Sequence, residues 1–132
     1  MRRKVYSGFL NLKGEEHEDT LREGDNYTLS LIDLKRFDKA KTLLCRMIPV
    51  ARRALGSSHR TTLRMSWHFA MVLYENDRAT LDDLREAVTT LTEIERTARR
   101  VFGGAHPLTS AIEEDLRKAR AGLAATEQSI NT

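Results

Sequence analysis

The sequence predicts an all-α fold of about two and a half helical hairpins stacked in series, and two observations carry that expectation. The first is a mark that occurs three times: Gly14-Glu15-Glu16-His17-Glu18-Asp19-Thr20-Leu21, Gly56-Ser57-Ser58-His59-Arg60-Thr61-Thr62-Leu63 and Gly103-Gly104-Ala105-His106-Pro107-Leu108-Thr109-Ser110. Successive glycines lie 42 and 47 positions apart, a period that belongs to stacked helical units rather than to one closed core. The second is that apolar residues between the marks recur every three or four positions, as on one buried face of a helix. The marks divide the chain into an N-terminal half-repeat helix (1–13), repeat 1 (14–55), repeat 2 (56–102), a C-terminal capping helix (103–125) and a polar tail expected to fray (126–132).

Each mark reads as a helix end followed at once by a helix start. Gly14, Gly56 and Gly103 stand where a left-handed closing residue belongs, and His17, His59 and His106 stand at N-cap positions. Pro107 follows at a first helical position, where a missing N–H costs nothing. Glu18 and Asp19 put negative charge into a first turn, which the helix dipole favours.

Along the chain, Val5, Phe9 and Leu12 form the apolar side of the first, unpaired helix. Leu21, Gly24, Tyr27, Thr28, Leu31 and Leu34 mark the first helix of repeat 1, and Lys35-Arg36 a short polar joint. The second helix carries Phe37, Ala40, Leu43, Leu44, Met47, Ile48, Ala51 and Leu55, with Pro49 inside it. Proline removes one backbone hydrogen bond and crowds the carbonyl of Cys45, so a kink is expected there rather than a break. Repeat 2 follows the same plan, with Leu63, Ser66, Phe69, Ala70 and Leu73 on one helix and Leu84, Ala87, Val88, Leu91, Ile94, Ala98 and Val101 on the next. Aligning Ala70 with Thr28 and Ala87 with Ala40 puts five extra residues between Glu75 and Asp83. Thr80 with Asp83 has the character of a capping box, so the extra length is expected in the second helix and its entry loop. Ile112, Leu116, Ala119 and Leu123 form the inward stripe of the last helix.

Composition excludes several function classes. Lys and Arg total 22 against 19 Asp and Glu, a formal charge of +3; a nucleic-acid footprint needs basic residues gathered on one face, so nucleic-acid partners rank last. No apolar run approaches the ~20 residues that span a bilayer, and no membrane partner is expected. Arg2-Arg3-Lys4 followed by Val5 to Leu10 fails as a signal peptide, because Ser7, Gly8 and Asn11 interrupt the apolar stretch. The single cysteine, Cys45, rules out an internal disulfide and leans towards the cytoplasm. It is expected to be an inert, partly buried thiol.

The units Leu12 to Leu21 and Leu55 to Leu63, reading Leu-(x)-Gly-x-x-His-x-x-Thr-Leu and each followed by two helices, resemble tetratricopeptide repeats of the kinesin-light-chain type. The resemblance covers roughly Gly14 to Leu123. Thr28 stands where Ala70 keeps the family's alanine, only His106 keeps its proline, and the insertion after Tyr74 breaks the period. The resemblance implies a right-handed α-α superhelix, a solenoid, that binds a protein or peptide on the concave face made by the first helix of each hairpin. Carried over by position, that face would comprise Arg22, Asp25, Asn26, Leu29 and Ile32 of repeat 1 and Arg64, Trp67, His68, Met71 and Tyr74 of repeat 2. The residues alone point the same way in part, since 64, 67, 68 and 71 share a helical face rich in large side chains, and Trp, Tyr and Arg dominate interface energetics. Asn26 has the amide to clamp a peptide backbone.

Rival readings stay open at this stage. Trp67 can equally pack on a neighbouring helix, and His68 can equally be a satisfied interior polar group. Three histidines on successive layers about 10 Å apart cannot share a zinc ion, so capping is their expected role and no metal or cofactor is expected. The clusters Arg52-Arg53 and Arg96, Arg99, Arg100 read as a solvated convex face or as a phosphate stripe. No nucleophile with a base at recognisable spacing appears, so an enzyme is not expected. An alternative to groove binding is a structural subunit that contacts neighbours, or a second copy of itself, through its end helices, because a short stack leaves its ends unburied. A start within a half repeat is also what a piece of a longer repeat protein would show.

Overall fold

Backbone conformation at the three marks fixes where the helices stop. Gly14, Gly56 and Gly103 have φ of +84°, +96° and +91°, values that side-chain-bearing residues adopt only under strain. Each glycine N–H donates back to the carbonyl four residues earlier, to Leu10, Arg52 and Arg99 at 3.0–3.1 Å, and the chain then turns into the next helix. In a computed structural model describing residues 2–131, the result is all-helical: α1 Arg2–Lys13, α2 Glu18–Asp33, α3 Phe37–Leu55, α4 Arg60–Glu75, α5 Leu81–Phe102 and α6 Pro107–Asn131 among the described residues.

The histidines begin the next helices as their spacing predicts. Nδ1 of His17, His59 and His106 each accepts a hydrogen bond from the backbone N–H two residues on, those of Asp19, Thr61 and Leu108, at 3.1 Å in every case. One of the four unpaired N–H groups at each helix start is thereby satisfied. α5 is capped differently, by the expected reciprocal box: Asp83 N–H donates to Thr80 Oγ1 (3.1 Å) and Thr80 N–H donates to Asp83 Oδ2 (3.0 Å). The five extra residues fall where the alignment puts them. Three lengthen α5, which has 22 residues against 19 in α3, and two lengthen the connection before it. α3 runs through Pro49 unbroken.

The chain forms two compact units, Met1–His68 and Phe69–Thr132, with the boundary inside α4. In Met1–His68, α1 and α3 both pack on α2. Their crossing is close at Gly24: a Cβ there would run into Met47 Sδ and meet the Tyr6 ring at 3.0 Å, so any side chain would force these neighbours to shift. The Tyr6 ring stacks on Tyr27 with centroids 6.2 Å apart, and Thr20 Oγ1 donates to the Phe9 carbonyl at 3.1 Å. Thr28, fully buried, satisfies its hydroxyl on the Gly24 carbonyl of its own helix at 2.9 Å. In Phe69–Thr132, α5 and α6 pack together around Leu84, Ala87, Leu91, Ile94, Ala98, Ile112 and Leu116.

The structure departs from expectation at several places. Leu12 stays exposed, because α1 is packed by α2 on one side and the far edge of its stripe is left in water. Leu34 and Val101 are also exposed, at the ends of their stripes. α6 runs to Asn131, past the boundary expected at residue 125, and Thr132 lies outside the described residues. Cys45 is exposed on α3 rather than partly buried. No helix among the described residues is long and apolar enough to cross a membrane.

Candidate functional site

The ten residues proposed for the binding face separate by burial. In Met1–His68, α2 offers Arg22 exposed and Asn26 and Leu29 half-buried, one face at i, i+4 and i+7. Asp25 and Ile32 instead lie in the interior, at 2% and 4% exposure. The reason is the breadth of α2's buried arc, which runs through Thr20, Leu21, Gly24, Asp25, Thr28, Leu31 and Ile32. α2 is packed by α1 and α3 and, through Asp25, by α4, so a stripe drawn for one neighbour is too narrow. On α4, Arg64 and Trp67 are half-buried and His68 is interior at 1% exposure.

Asp25 organises this part of α4. His68 Nδ1–H donates to Asp25 Oδ1 at 2.6 Å, and Arg64 Nε lies 3.6 Å from Asp25 Oδ2. A carboxylate cannot donate, so the proton between them sits on Nδ1 and the ring's orientation is fixed. Among the described residues His68 Nε2 is buried without a hydrogen-bond partner, and Arg64 Nε is too far from the carboxylate for a hydrogen bond, leaving charge attraction as its hold on Asp25. Desolvating a carboxylate costs several kcal/mol, roughly, unless charge and hydrogen bonds offset it; here one of each does so. The Trp67 ring stands beside the His68 ring with centroids 5.0 Å apart. An aromatic plane and a guanidinium therefore occupy partly exposed positions beside the interior pair. Among the described residues the Asn26 side-chain amide has no hydrogen-bond partner in the chain; the bond recorded at Asn26 uses its backbone carbonyl. Arg22 pairs with Asp19 at 3.1 Å on the helix surface.

Met71 and Tyr74, the last two residues of the proposed face, belong to Phe69–Thr132. Both are half-buried. The Tyr74 hydroxyl donates to Asp115 Oδ1 at 2.5 Å, so its polar end is already engaged within the chain. Burial first, and then the hydrogen bond to Asp115, push the Tyr74 phenol far above its ordinary value.

Sequence reasoning missed both interior pairings. Asp25 and His68 are 43 positions apart, and Tyr74 and Asp115 are 41 apart, beyond the reach of any helical spacing rule. The one available signal was an aspartate between apolar positions of α2, a place where an unpaired acid would be costly. Among the described residues no three His, Cys, Asp or Glu side chains gather as they would around a metal ion. No protein-family model matches this chain, and a search of curated proteins returns no significant match.

Proposed function

We propose that this chain is a protein-interaction module that holds a peptide segment of a partner protein against the Arg64–Trp67 face, as a helical-repeat solenoid of the tetratricopeptide, kinesin-light-chain-like kind would. What supports the repeat reading is the identity of local design at the marks, a glycine at positive φ and a histidine capping through Nδ1, three times over. The observation that carries the functional reading is the pair Arg64 and Trp67, half-exposed and held in place by the interior Asp25–His68 pair. Rigid aromatic and guanidinium groups bind with little ordering cost, which is what an interface hot spot requires. Asn26 and Leu29, half-buried on α2, would extend the face with an amide and an apolar side chain. A binder fits better than a catalyst, because the Nε2 a general base would use is closed off from solvent.

Trp67 is the chain's single tryptophan, so its emission reports directly on this face. Panning a random peptide library against the intact chain should yield ligands that shift or quench Trp67 emission and that bind Arg64→Ala about tenfold more weakly, a loss of about 1.4 kcal/mol. Selected ligands that leave the emission unchanged and bind Arg64→Ala equally well would remove this face from consideration. The second reading, contacts through the end helices with neighbours or with another copy, is favoured by Leu12 at 86% and Ile130 at 64% exposure on α1 and α6. Its mark would be a mass in sedimentation above that of one chain, lost in Leu12→Gln or Ile130→Gln.

A further inference from the structure

The way α1 and α3 lie on α2 leaves a trough. At Gly24 the two are drawn together over α2 by Tyr6 and Met47. Nearer the end of α2, where α1 and α3 both begin, an open groove of about 470 Å³ remains. Its floor is apolar, formed by Tyr27 and Leu31 of α2 and Leu43 of α3. Its rims are cationic, with Arg3 on α1 and Lys39 and Arg46 on α3; Asp38 and Thr42 also line it.

Charge explains what such a groove fits. α1 carries four cations and no acid, and α3 carries five cations and one acid, Asp38. Among the described residues Arg3, Lys39 and Arg46 take part in no ion pair. Their side chains therefore stand without a direct ion pair on both sides of an apolar strip, three cations to the one acid, Asp38, in the lining. The complement is a segment with apolar residues along one side and carboxylates flanking them, the pattern of an acidic amphipathic helix laid in a groove. We infer that this groove docks an acidic amphipathic helix of a partner protein, at a surface distinct from the Arg64–Trp67 face. A nucleic acid would use the same cations, but the apolar strip of Leu31 and Leu43 offers its phosphates and sugars nothing.

The test uses fluorescence anisotropy on the intact chain. The probe is a labelled synthetic peptide of about 15 residues, long enough for an isolated helix to begin to hold, with Leu at i, i+3, i+4 and i+7 and Glu elsewhere. Its control is a permuted peptide of identical composition without the stripe. The striped peptide is expected to bind, the permuted one to bind about tenfold more weakly, and the double variant Lys39→Glu, Arg46→Glu to lose about tenfold in affinity for the striped peptide. Arg3→Glu, on the opposite rim, gives a second reading of the same loss, with helicity checked by circular dichroism for each variant. The double variant Arg64→Ala, Trp67→Ala should bind the striped peptide unchanged. Equal binding of the two peptides would reduce the groove to diffuse attraction and overturn the inference. So would an oligouridylate that displaces the striped peptide, or binding that depends on Arg64 and Trp67 rather than on the rims. Absence of binding would overturn it outright.

Discussion

A histidine is an unusual choice for a helix cap, yet His17, His59 and His106 all do the work more often given to Ser, Thr, Asp or Asn. At His106 the imidazole also meets the Phe102 ring, with centroids 4.8 Å apart. Replacing it by Ala or by Asn removes that ring contact equally, so the difference between the two variants isolates the cap. His106→Ala should be less stable than His106→Asn by about 1 kcal/mol in urea unfolding. Gly24 sets two effects against each other. Alanine would gain about 1 kcal/mol of helix propensity, but its Cβ would press on the Met47 sulfur and the Tyr6 ring, and overpacking costs about 1–3 kcal/mol. Met47 is itself buried and has little room to yield, so the clash wins. Gly24→Ala should lower stability slightly and Gly24→Val by about 2 kcal/mol or more, read from the denaturation midpoint.

Between elements, the interior link of α2 to α4 through Asp25 and His68 is a coupled pair. Removing His68 leaves a buried carboxylate facing only the more distant Arg64; removing Asp25 leaves an imidazole without its acceptor and a guanidinium without its counter-charge. Each of Asp25→Ala and His68→Ala should cost about 3 kcal/mol. The double variant should cost less than the sum by at least about 1 kcal/mol, because the second deletion removes the group the first one stranded. Additive losses would mean that the 2.6 Å contact contributes nothing. This scale is also where sequence reading succeeds and fails. The glycine turns, the histidine caps, the Thr80–Asp83 box and the placement of the extra residues in α5 and its entry loop were legible because each is settled within a few positions of chain. The interior places of Asp25 and Ile32 were not, nor was the full burial of Met65, and His68 stood open between a face and an interior position. Whether a second or third side of a helix is covered depends on partners forty residues away. The exposed Leu12 and Val101 fail for the mirror-image reason: a correct stripe has no helix to cover its edge.

For the molecule as a whole, pH reports on the same interior chemistry. The Tyr74 phenol titrates far higher in the folded chain than in the unfolded one, through burial and then through Asp115. Tyr6 is shifted upwards as well, by burial. Below about pH 10 both states hold these protons and stability is unaffected; above it the unfolded chain releases them while the fold retains them, so stability must fall as pH rises. Melting temperature should therefore decline above about pH 10, with a shallower slope in Tyr74→Phe. Asp19 works at the acid end. Its hydrogen bond from Lys13 holds its carboxyl below the ordinary range, so its contribution is present above about pH 4 and fades as pH falls further. Asp19→Asn should flatten the acid limb without touching the alkaline one.

The longer connection before α5 has a practical consequence. Ala40 and Ala87 each precede their closing glycine by 16 positions, so the five residues added upstream leave the downstream junction in register. Length there is absorbed at the free end of one helix and in the turn 76–80, where Arg78 N–H closes on Asn76 Oδ1 and Thr80 starts α5 anew. That turn is the natural port for grafting: a short epitope or a circularly permuted fluorescent domain spliced between Asp77 and Ala79 would leave each histidine cap, the Asp25 pair and the cationic groove as they stand.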